Sequence, residues 1–336
     1  MDNLLYYGNY LNLDNIINSC NPVTTIPDER LFITIHQVYE LWFRQVIDEL
    51  DNVMAIFNKE KIDDNNDDLV VSTRLLKRII EIWKVLVAQI TVLETMTPLD
   101  FLDFRQALNP ASGFQSIQFK IIEAKLGLPT RYEPSHYKHT NPGGISNQDR
   151  QILDTVENQP SLRQLIVKWL ERLDVIFQQE FAQYPKLWDL YNKQYAQMIA
   201  SDSDKEVLIN DFEQKICFTK NSSADFSNAA WRSTLLINVL RDYPLFRLPY
   251  EILTSLVELD EFIAIWRFRH LIMVMRMIGK RIGTGGHSKD YLEGTLTKNK
   301  FFSEFANVSS YIISRHALNE VLTNNQGFLN RFKVQF

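Results

Sequence analysis

Phe32, His36, Tyr39 and Phe43 recur at spacings of four, three and four in the stretch DERLFITIHQVYELWFRQVIDEL, so they line one face of a helix. An imidazole placed there sits in aromatic surface rather than in water. It is either a core histidine hydrogen-bonded to a neighbouring helix or a pocket histidine beside an aromatic ligand. In TPLDFLDFRQALNPASGFQS, Phe101, Arg105 and Leu108 share a second face, which puts a guanidinium among apolar groups. Burying that cation is costly unless it is paired, so Arg105 requires an anion. The anion is an Asp or Glu of the chain, or a ligand carboxylate gripped by the bidentate fork of arginine. Ser112 and Gly113 follow in a proline-containing loop, where a hydroxyl and backbone N–H groups are free to bind something polar.

A third face is drawn by Phe262, Trp266, His270, Met273 and Met277, with Ile263, Leu271, Val274, Met275 and Ile278 filling most of the remaining circumference. A helix this apolar all round is a central one. His270 in it is either a satisfied core residue or a neutral imidazole available to coordinate iron, since haem ligation asks for a single histidine in a dry cavity. Spacing alone does not reveal a single-ligand metal site. His136 and His139 stand three apart in a long loop but have no third ligand near them. The turn GTGGHS lacks the order of a phosphate-binding loop, and no GxGxxG is present. Its glycines let a loop fold over a ligand and bring the hydroxyl of Thr284 within reach of it.

These residues need helices to position them. Periodicity of 3.6 residues runs through the chain and alternating strand patterns are scarce. Helices are expected over about 28–57, 68–96, 98–108, 115–126, 147–157, 160–182, 184–201, 204–216, 226–241, 248–280 and 300–312. Thr97-Pro98 is an N-cap with proline at the first helical position, and Gly127 and Gly283 are helix stops. The expected architecture is all-α, a large helical bundle domain formed by residues 1–171 and 236–336, with a small helical insertion at roughly 172–235.

The 336 residues carry a formal net charge of −5 and show no Lys/Arg-rich run, which argues against nucleic acid as a partner. Cys20 and Cys217 are far apart and not in CxxC spacing, against a disulfide scaffold or zinc site and in keeping with a reducing compartment. The first residues, MDNLLYYGNYLNLDN, lack the cationic and apolar regions of a signal peptide. No stretch approaches the roughly 18–20 apolar residues of a membrane span. A soluble, cytoplasmic protein is expected.

The segments YGNYLNLD, DERLFITIHQVYELWF, LETMTPLDFLDFRQALNPASGFQS, WRFRH and GTGG, in this order, together resemble the tryptophan 2,3-dioxygenase family, and SSYIISRH near the C-terminus is also similar. The resemblance implies a bundle that houses haem b, one per subunit and active when ferrous. It implies cleavage of the indole C2–C3 bond of L-tryptophan with O2 to N-formyl-L-kynurenine, the first step of tryptophan catabolism by the kynurenine route. Carried over by position, His270 is the proximal haem ligand with Trp266 one turn before it, and His36 is the distal histidine near the indole N–H. Arg105 pairs with the substrate carboxylate, Thr284 meets the ammonium and carboxylate, and Ser112 lies beside haem and oxygen. Phe32 and Phe101 pack on the indole, while Tyr7 and Tyr10 reach a neighbouring subunit's pocket in a homotetramer built as a dimer of dimers. His287 and Lys289 stand where the family usually has small residues. The alternatives are a haem-dependent aromatic monooxygenase on the same fold and a haem- or tryptophan-binding sensor that does not turn over.

Overall fold

The computed structural model describes residues 5–62, 67–128, 145–180, 184–217, 226–279, 281 and 300–323, and among them there are helices and turns but no strand. Two short helices, α1 (Tyr7–Tyr10) and α2 (Leu13–Ile17), precede α3 (Pro27–Phe57), α4 (Asp67–Leu93), α5 (Pro98–Arg105) and α6 (Ile117–Leu126). Next come α7 (Asn147–Glu157), α8 (Leu162–Glu180), α9 (Tyr184–Met198), α10 (Lys205–Phe212), α11 (Asn228–Val239), α12 (Pro244–Ile278), α13 (Ser303–Asn307) and α14 (Arg315–Thr323). The all-α expectation holds.

Two long helices carry the site. The 31 residues of α3 start with Pro27 in the first turn and Asp28 and Glu29 behind it, where negative charge meets the positive end of the helix. The Glu29 carboxylate also reaches back. Its Oε1 accepts the Val23 N–H at 2.7 Å and its Oε2 accepts the Thr24 N–H at 2.7 Å, which fixes how the chain leaves α1 and α2 and enters α3. The 35 residues of α12 span about 50 Å at the helical rise of 1.5 Å per residue. Its most extensive partner is α4, which is in turn packed on α3. Val46, Leu50, Val53, Leu76, Ile79, Trp83, Leu86, Leu256 and Leu259 of these three helices are buried in the core. Burying each large apolar side chain contributes about 1.5–3 kcal/mol.

The start of α12 differs from the expected position 248. The helix begins at Pro244, after an extended Tyr243, and Pro249 lies buried inside it. Either proline could open a helix. The first one does, because Phe246 gains a fully buried place in the core, against the loss of one helical hydrogen bond at Pro249. Its end falls at Ile278, where Gly279 adopts φ 60°. Gly127 ends α6 at φ 112°, as expected, and a Cβ there would stand 2.9 Å from the Cβ of Arg163. The span 115–126 resolves into a turn of 3-10 helix at Gly113–Gln115 and α6, and 300–312 into α13 and a 3-10 turn at Val308–Tyr311. Helices α1, α2 and α14 lie outside the spans that the periodicity predicts.

The Thr97 cap is a complete capping box. Thr97 Oγ1 accepts the Asp100 N–H at 3.3 Å and Asp100 Oδ2 accepts the Thr97 N–H at 3.1 Å. Thr97→Ala is expected to lower the unfolding free energy by about 1 kcal/mol, read as a lower urea midpoint with unchanged slope. An unchanged midpoint would show that packing of Phe104 alone holds α5 in place.

Residues of the expected insertion belong to the same continuous core as the rest of the chain. Asp174 on α8 pairs with Arg232 on α11 at 2.7 Å, and both side chains are buried. Tyr184 donates to the same carboxylate. Tyr191, Tyr195, Phe212, Trp231 and Tyr311 form an aromatic cluster that ties α9, α10 and α11 to the chain after α13. No described helix is long and apolar enough to cross a membrane.

Candidate active site

The beginning of α3 and the whole of α5 build an aromatic wall. Phe32 and His36, one turn apart, have ring centroids 4.1 Å apart. Phe101 lies 5.8 Å and Phe104 5.7 Å from Phe32, and those two meet edge-to-face at 5.4 Å. The sequence placed Phe32, His36 and Phe101 here. Phe104 escaped it, although its three-residue spacing from Phe101 was a usable signal. His36 Nδ1 lies 2.7 Å from the Phe32 carbonyl oxygen. A carbonyl oxygen only accepts, so Nδ1 carries the proton and donates it there, leaving Nε2 with a lone pair. Burial lowers the pKa of His36, against the opposing pull of the Phe32 carbonyl and of Glu40, so the imidazole stays neutral near pH 7. The product is an acceptor nitrogen held in a fixed orientation inside an apolar slot.

Further along α3, the same face turns toward α12. Tyr39 and Phe43 pack on Trp266 at 6.1 and 6.4 Å, Trp83 from α4 at 5.9 Å and Phe119 from α6 at 5.2 Å. The Trp266 indole N–H is buried beside the Tyr39 hydroxyl, which donates to the Leu86 carbonyl at 2.8 Å. His270, one turn on, stacks nearly parallel to Trp266 with centroids 5.3 Å apart and planes inclined by 8°. Its ring nitrogens hydrogen-bond to no described residue. Burial, with a smaller contribution from His36, pushes its pKa down to about 4. His270 is therefore a neutral ring stacked on Trp266, with no hydrogen-bond partner for its nitrogens among the described residues.

The other expected residues are placed less closely. Arg105 is half-buried in the last turn of α5, on the helix that supplies Phe101. Ser112 is half-buried and caps the 3-10 turn that follows; its Oγ accepts the Phe114 N–H at 3.3 Å, while Gln115 Oε1 accepts the Ser112 N–H at 3.1 Å. That hydroxyl donates its own proton to no described residue. Tyr7 and Tyr10 are 74% and 68% exposed, so this chain folds neither into its own aromatic wall. Thr284, Gly283, His136, His139, His287 and Lys289 lie outside the described residues. Among the described residues no three His, Cys, Asp or Glu gather as a metal-ion cage.

A family model described as tryptophan 2,3-dioxygenase matches residues 2–312. The chain belongs to the tryptophan 2,3-dioxygenase family. It is similar to the protein of that name from Alteromonas mediterranea, 37% identical over 93% of each chain. It is likewise 37% identical to the tryptophan 2,3-dioxygenases of Dictyostelium discoideum, over 94% of this chain and 85% of that one, and of Mus musculus, over 93% and 83%. Membership in the tryptophan 2,3-dioxygenase family extends over the helices that carry both histidines and Arg105, so the aromatic wall and the Trp266–His270 stack lie within the matched region.

Proposed function

We propose that the chain is a haem-dependent dioxygenase that opens the indole ring of L-tryptophan between C2 and C3, adding both atoms of O2 to give N-formyl-L-kynurenine. The observation that carries this reading is the neutral His36, whose Nδ1–H is committed to Phe32 and whose Nε2 is left as an acceptor in an aromatic slot. An indole offers what that slot lacks: a flat apolar body with one N–H donor. Held by Nε2 at its N–H and by Phe32 and Phe101 on its faces, the ring has one orientation available and is kept from water. Arg105, at the end of the same short helix as Phe101, grips the carboxylate, and Thr284 meets the ammonium and carboxylate. Ser112 offers its O–H beside the reacting region.

The residues present fit a haem. An imidazole that holds haem iron must be neutral with a nitrogen lone pair available, and His270 is neutral and makes no hydrogen bond to any described residue. His270 would hold the iron with Trp266 stacked behind it, and the ferrous group supplies activation of O2 when bound. The two free thiols, Cys20 and Cys217, support a reducing, cytosolic setting. The test is product identity: haem-loaded protein, reduced and given L-tryptophan and air, should yield N-formyl-L-kynurenine. A hydroxylated indole would mean a monooxygenase, and haem and tryptophan binding without oxygen uptake would mean a sensor.

We further propose a homotetramer, a dimer of dimers in which Tyr7 and Tyr10 cover a neighbour's site. Their exposure, together with that of Leu5, Tyr6 and Ile17, supports this, since so much apolar surface on one short arm calls for a cover. Deleting residues 1–10 is expected to leave haem content unchanged and to reduce kcat/KM roughly tenfold to a hundredfold, as misplaced substrate does. Full activity of the truncated protein would remove the arm from the site.

A further inference from the structure

We propose that the buried Glu123–Arg267 ion pair is a positioning device that sets the rotation of α12 at His270 and thereby the direction of its imidazole. Trp266 and Arg267 are consecutive on α12, and α6 meets both with residues one turn apart. Phe119 packs on the Trp266 ring at 5.2 Å, and Glu123 Oε1 accepts from Arg267 Nη2 at 2.7 Å. The two charged side chains are 7% and 5% exposed. On its other side the Arg267 guanidinium lies 5.3 Å from the centre of the Phe301 ring. Phe301 is itself tied to α12, because Asp260 accepts the N–H groups of Phe301 and Phe302 at 3.1 and 3.2 Å. Arg267 is thus held between α6 and the chain entering α13.

The apolar contacts of α12 are non-directional, and sliding or rotating the helix among its aromatic neighbours would exchange one greasy contact for another. A buried ion pair tolerates no such exchange, since a small rotation leaves two charges unpaired in a dry interior. Such pairs contribute little net stability compared with apolar replacements and are best suited to fixing register. His270 stacks on Trp266, so a rotation at residue 267 is transmitted directly to the imidazole.

The inference rests on the reading that His270 holds haem, and hemin is the probe. Full-length chain is loaded with hemin, and the rate of hemin transfer to excess apomyoglobin is followed by its visible absorption, alongside helix content and melting temperature. The double variant Glu123→Leu/Arg267→Met removes both charges of the pair; it leaves the buried Lys120, whose pKa burial already lowers, without the carboxylate beside it, and is expected to keep wild-type helix content. It should nonetheless release hemin at least about tenfold faster, the range seen when groups supporting a metal ligand are lost. Arg267→Lys should fall between it and wild type. Wild-type hemin retention in the folded double variant would overturn the proposal, reducing the pair to a contribution to stability. Should the double variant not fold, Glu123→Gln, which keeps the volume and one acceptor, is read in the same way. His270→Ala sets the floor: if wild type holds hemin no better than His270→Ala, the haem reading itself fails, and the inference with it.

Discussion

Replacing His270 with alanine is expected to remove haem from the protein while leaving the fold in place. The ring stacks on Trp266 and makes no hydrogen bond to any described residue, so its loss breaks no hydrogen-bond network among them. Trp266 keeps Tyr39, Phe43, Trp83 and Phe119 around it. What alanine removes is the neutral imidazole proposed to hold the iron. Hemin affinity should fall by more than about a hundredfold, beyond the 10–100-fold that loss of an outer supporting group produces, and oxygen-dependent turnover should fall to background. The assay is a hemin titration followed by absorption, with circular dichroism to show that helix content is retained. A variant that binds hemin as wild type does would make His270 an ordinary core residue. A variant that unfolds would show its packing to be worth far more than one stacked ring.

The second large effect belongs to Arg105. Truncating one partner of a buried, hydrogen-bonded charge pair costs about 2–5 kcal/mol, which corresponds to roughly thirtyfold to several thousandfold in kcat/KM. Arg105→Ala should show that loss with L-tryptophan and keep its haem. Tryptamine, the same indole without the carboxylate, separates causes. Its poor turnover should be nearly the same in wild type and Arg105→Ala, because the group that Arg105 would grip is missing from the substrate. Arg105→Lys should recover only part of the loss, as an ammonium cannot make the bidentate contact. Equal losses with both substrates would assign Arg105 to the architecture of α5, and an unfolded variant would assign it to an ion pair within the chain.

The faces of the long helices could be read from spacing because a helix converts sequence interval into direction. Phe32, His36, Tyr39 and Phe43 were expected on one side of α3, and the structure shows that side divided, its first half toward α5 and its second toward Trp266. The division was not visible, since it depends on which neighbours lie at each height of the helix. Trp83 and Phe119 are the same case: each belongs to its own helix's apolar stripe, and only tertiary packing brings them to Trp266. Arg267 and Glu123, 144 positions apart, carry no mutual sequence signal at all. The start of α12 was misplaced because Pro244 and Pro249 present the same local chemistry, and burial of Phe246 decides between them. Short α14 has little intrinsic stability and exists because Ala317, Val321 and Leu322 pack against the rest of the chain.

Turnover under isotopically labelled O2 tests the central claim most directly. Reduced, haem-loaded protein is given L-tryptophan in ordinary water and the product is weighed by mass spectrometry. Ring opening by dioxygenation predicts N-formyl-L-kynurenine carrying two labelled oxygen atoms. A product carrying one labelled atom on an intact indole, or no product from a protein that has bound both haem and tryptophan, would contradict it.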